Sequence, residues 1–137
     1  MLLTFSSHIE SADEERRVIA GKIVPYEAVG NTSAGPVVFA TDSIEIGDPG
    51  KIKMLMQHEA SKPIGRMTKF NKEEDGIYAS FKISSSMQGQ DALILAGENL
   101  IDGLSVGVEV VKSMQKKDYI YVTKATLKEV SLVETPA

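Results

Sequence analysis

The run Gly103-Leu104-Ser105-Val106-Gly107-Val108-Glu109-Val110 matches the G-x-S-x-G pattern of α/β-hydrolases over its first five residues. That pattern requires a strand, a sharp turn and a helix around the serine, with a histidine later in the chain. Neither condition is met. Leu104, Val106, Val108 and Val110 alternate with Ser105, Gly107 and Glu109, so a strand runs straight through the serine. The helical pattern precedes the motif, and so do both histidines, His8 and His58. What survives is a serine flanked by glycines on a strand, where missing side chains let a substrate backbone approach a hydroxyl closely. A bulge or tight barrel corner fits the same residues, and Ser105 is one of thirteen serines.

Downstream, a polar turn at Ser113 to Asp118 leads into β-branched and aromatic residues from Tyr119 to Val133. Within it, Val130 and Leu132 fall on one face and Glu129 and Ser131 on the other. Upstream, the spacing predicts a helix from Met87 to Ala96, with a capping box at Ser85 to Gln88 and Gly97 as its stop. Asp75-Gly76 marks a hairpin, followed by Ile77, Ala79, Phe81 and Ile83 in strand alternation. Ile52, Met54 and Met56 alternate towards His58, which therefore stands at the rim of a strand. Earlier still, a strand is expected from Arg17 to about Pro25 and another at Val37 to Ala40. Ser11 to Arg16 reads as a solvated turn, and Thr41 to Gly50 as a connection.

The chain has 137 residues, 42% hydrophobic and 25% charged, so one domain spanning 1–137 with one core is expected. With 15 basic and 19 acidic residues the net charge is -4, which provides no basic surplus for nucleic acid or anionic lipid. The absence of cysteine removes thiol nucleophiles and thiolate metal sites, and two histidines are too few for a multi-histidine zinc site. No apolar run is long enough to span a bilayer, and Met1-Leu2-Leu3 leads into polar residues rather than a signal sequence. A soluble, intracellular protein is expected.

Ser105, His58 and Glu129 are the candidates for chemistry. His58 could serve as a base or as a hydrogen-bonded structural residue. Glu129 could orient an imidazole or face solvent, and Asp102 could take the same part from a turn.

In chain order, His58, Pro63-Ile64-Gly65, the Asp75-Gly76 hairpin, the helix, Gly103 to Gly107, Glu129 to Val133 and Pro136-Ala137 resemble the prohead (capsid maturation) protease family of tailed bacteriophages. That family is similar in fold to the herpesvirus assemblins. The resemblance covers Gln57 to Ala137, and Met1 to Met56 match only in general character. It implies a mainly β (α+β) fold, an assemblin-like closed barrel of about six or seven strands with at least one packed helix. Ser105 is then the nucleophile, His58 the general base and Glu129 the third member. Assemblins use a second histidine in the third place and arginines near the oxyanion site. This chain has no histidine after His58 and no arginine after Glu129, so backbone N–H groups near Ser105 or a held water are the expected oxyanion donors.

The implied function is a serine endopeptidase that cleaves scaffold protein, or the scaffolding segment of the major capsid protein, and itself. It would act in the procapsid interior within the host cytoplasm. No cofactor, nucleic acid or membrane partner is implied, and the likeness to assemblins admits a homodimer. Family members commonly carry further C-terminal sequence, so a processed or truncated catalytic domain is the expectation. The competing reading is a non-catalytic capsid or scaffold component on the same barrel.

Overall fold

The computed structural model describes residues 2–134; the Pro136-Ala137 of the family pattern lies outside the described residues. In chain order the strands are β1 (Leu2–His8), β2 (Ser11–Asp13), β3 (Val18–Pro25), β4 (Val29–Thr32), β5 (Gly35–Phe39), β6 (Ile44–Glu45), β7 (Lys53–Met56), β8 (Glu59–Glu73), β9 (Gly76–Ile83), β10 (Gly103–Gln115) and β11 (Ile120–Val133). A short 3-10 turn covers Pro49–Lys51, and one helix, α1, covers Met87–Gly97.

The order β10-β1-β4-β5-β11 closes on itself because β11 also pairs with β10, giving a five-stranded barrel. Closure leaves none of these five strands as a free edge over its whole length. Along its other edge β11 takes β5, β6 and β7 in turn, all parallel, at Ile120–Val122, Ala125–Thr126 and Val130–Leu132. From β7 the sheet continues through β8, β9, β3 and β2. Its far side curls back onto β1, where Ser7 Oγ donates to the Lys22 carbonyl at 2.8 Å.

One continuous core fills this enclosure. Leu3, Ile19, Phe39, Met54, Ile64, Phe81, Leu93, Leu104, Val106, Val130 and Leu132 are all buried within it. Each such side chain stabilises the fold by roughly 1.5–3 kcal/mol relative to exposure. The helix buries Gly89, Ala92, Leu93 and Ala96, an i, i+3, i+4, i+7 stripe.

The mainly β class with a packed helix holds, with 62% of the described residues in strands. Eleven strands occur among the described residues, beyond the six or seven expected, because short elements carry few periods of alternation. Ser11–Asp13, read as solvated turn, is an edge strand paired with β3. Leu2–His8 alternates with Leu3 and Phe5 inward, a pattern hidden by the adjacent Leu2. The helix cap is Ser86, whose Oγ accepts the Gly89 N–H at 3.1 Å, one position beyond the expected box. Its stop is Asn99 at φ 59 rather than Gly97, which is still helical.

Candidate active site

β7 and β8 are joined by a two-residue turn, Gln57-His58, in which both residues have positive φ, 52° and 59°. This geometry matches the twist of a hairpin but costs a non-glycine residue roughly 1–2 kcal/mol. The turn is held by β11. Gln57 N–H donates to the Leu132 carbonyl at 3.0 Å, and His58 N–H donates to Ser131 Oγ at 3.0 Å. The expected rim position of His58 is therefore a tight turn pinned against a core strand.

Ser105 on β10 faces Ser131 on β11, and Gly107 faces Glu129. Between these strands the register shifts at Lys128, which has no partner on β10. That extra residue switches the phase of β11. Ala125 and Leu127 are buried before it, Val130 and Leu132 after it, and Glu129 and Ser131 consequently turn to the side of His58.

The structure brings the three candidate residues together. His58 Nδ1 lies 2.5 Å from Glu129 Oε1, and its Nε2 lies 2.7 Å from Ser105 Oγ. An ionised carboxylate only accepts, so Nδ1 carries the proton and Nε2 is left as an acceptor for the serine hydroxyl. Ser105 is only 2% exposed, while the His58 and Glu129 side chains retain 29% and 22% exposure. The hydroxyl is thus set in the barrel wall beneath a half-open imidazole. At Ser105, β10 is an interior strand paired with both β1 and β11. Its backbone N–H groups serve those ladders, which argues against them as free oxyanion donors.

Two further residues complete the arrangement. Ser131 is fully buried, and its Oγ donates to Glu129 Oε2 at 2.9 Å while accepting the His58 N–H. Its Glu-x-Ser spacing was the available signal, since residues two apart on a strand share a face. Gly107 leaves room for the carboxylate, because a Cβ there would meet Glu129 Oε1 at 2.6 Å. The space beside this glycine is filled by Glu129 rather than left for a substrate backbone. Asp102 does not join the site; its carboxylate lies 3.9 Å from Nδ1 of the exposed His8.

Three comparisons with known proteins bear on the fold and the family. No curated protein sequence matches the chain. Among solved structures, the bacteriophage T4 capsid assembly protease gp21 has a similar fold, with a TM-score of 0.67 at 12% identity over 99% of this chain and 98% of that one. A family model described as caudovirus prohead serine protease matches residues 7–137. Nearly the whole chain is covered by that match, and it belongs to the caudovirus prohead serine protease family.

Proposed function

We propose that this chain is a serine endopeptidase of procapsid maturation, with Ser105 as nucleophile, His58 as general base and Glu129 as the group that orients the imidazole. The observation that carries this reading is the His58 ring bridging Ser105 Oγ at 2.7 Å and Glu129 Oε1 at 2.5 Å. Nε2 takes the serine proton as Oγ attacks the scissile carbonyl, and the same proton then passes to the leaving amine. Water hydrolyses the acyl-enzyme by the reverse route. A positioned base of this kind contributes about 10² to 10⁴ in rate. Glu129 holds the tautomer and stabilises the imidazolium without taking the proton.

Its substrates are the scaffold protein, or the scaffolding segment of the major capsid protein, and the chain itself, inside the procapsid. Family membership supports the setting, and the hydrogen-bonded trio supports the chemistry. The test is incubation of wild type and Ser105→Ala with the cognate capsid precursor, followed by intact-mass measurement. Defined fragments from wild type alone are expected. The same fragments from Ser105→Ala would reject Ser105 as the nucleophile, and no fragments from either chain would leave a non-catalytic shell component.

A further inference from the structure

Acidic residues outnumber basic ones in this chain, yet a hollow of about 890 Å³ is lined by Arg17, Lys51, Lys53, Arg66 and Lys82 and by no carboxylate. Three of these cations form one rung. Lys53 on β7 stands opposite Arg66 on β8, and Arg66 stands opposite Lys82 on β9. Arg17 adjoins Val18, the partner of Lys82 on β3. Like charges directly opposite one another destabilise a sheet. Among the described residues, none of Arg17, Lys51, Lys53 and Arg66 has a carboxylate partner, and Lys82 Nζ donates to the Arg16 carbonyl at 2.6 Å. The rung weakens the free fold and is suited to an anionic ligand.

We infer that this hollow binds an acidic stretch of the polypeptide substrate, a few residues away from the bond cleaved. The inference rests on the proteolytic reading above. The rung lies on the same hairpin whose turn presents His58. At about 3.4 Å per residue, Lys53 is no more than about 17 Å along the strand from that turn, the span of about five residues of extended substrate. Carboxylates fit guanidinium and ammonium donors well. Nucleic acid fits less well, because no aromatic ring lines the hollow to stack a base and the chain is net negative.

The test uses the whole chain carrying Ser105→Ala, so that no peptide is cut, and a fluorescein-labelled hexaglutamate peptide read by anisotropy at low salt. Saturable binding is expected, with none for the hexaglutamine counterpart. Arg66→Glu in that background should weaken binding about tenfold or more, the weight of one charged hydrogen bond. Because Arg66→Glu turns two repulsive cross-strand pairs into attractive ones, its melting temperature should equal or exceed that of the parent. Undiminished binding, tighter binding of an oligothymidylate, or a melting temperature lower by several degrees would each overturn the inference. A wild-type chain that cuts its precursor but ignores the peptide would refute this subsite alone, leaving the nucleophile assignment intact.

Discussion

The hydroxyl of Ser131 accepts the backbone N–H of His58 at 3.0 Å across 73 residues of sequence. The same hydroxyl donates to Glu129 at 2.9 Å, so one buried group holds both the left-handed turn and the carboxylate that faces the imidazole. Ser131→Ala should lower kcat by about 10- to 100-fold through misplacement of the ring, with KM little changed. Stability should fall by about 1 kcal/mol, because a half-buried N–H and carboxylate oxygen lose their partner. Steady-state kinetics and urea unfolding separate the two effects. A loss of stability with unchanged kcat would make Ser131 structural only.

Ser105→Ala and His58→Ala should each reduce kcat by about 10⁴-fold on a peptide spanning the cleavage site, and the double variant should lose little further. Residues that act as one unit are non-additive in this way. Multiplicative losses would show that the two side chains do not share a step.

Glu129→Gln should lower kcat by about 10² to 10⁴, since an amide disturbs the tautomer that leaves Nε2 unprotonated. Gly107→Ala should push the carboxylate off Nδ1, because the new methyl would lie 2.6 Å from Oε1. Combining the two should cost less than the product of the separate losses. Full activity in Gly107→Ala would contradict the packing described for Glu129.

Gln57 occupies the left-handed region at φ 52°, a conformation asparagine visits more readily. Gln57→Asn should therefore raise stability in urea unfolding, by a part of the roughly 1–2 kcal/mol that the left-handed region costs. A decrease would mean that the glutamine side chain has a role its backbone does not reveal.

Glu27 supplies an acid-sensitive contact away from the site. Its carboxyl is held below the usual glutamate range, chiefly by the Thr41 N–H at 2.8 Å and then by the Tyr121 hydroxyl at 2.9 Å. A depressed folded pKa contributes stability that is complete above the unfolded value and is lost as pH falls through the folded one. Glu27→Gln should thus lower the melting temperature at pH 7 and flatten its decline between about pH 5 and pH 3, the range flanking an ordinary glutamate. An unchanged acid limb would remove Glu27 from that account.

Local pattern carried the β character of this chain. Alternation at Leu104 to Val110 and Ile77 to Ile83, the hairpin signalled by Asp75-Gly76 and the apolar stripe of α1 all reflect interactions within a few residues, and each is present in the fold, with Glu74-Asp75 as the turn and Gly76 already paired with Glu73. The residues of the site were also nameable, because a serine between glycines and a histidine at a strand rim are local features. The choice between Glu129 and Asp102 lay beyond such patterns. Period-two alternation reports which face a side chain takes and says nothing of which strand lies alongside. The phase switch at Lys128 is a bulge that alternation does not report, and the parallel pairing of β7 with β11 and the return of β1 to β10 each join segments far apart in sequence. Those pairings form only when the barrel closes around its core, and they bring Ser105, His58 and Glu129 within hydrogen-bond reach while leaving Asp102 beside His8.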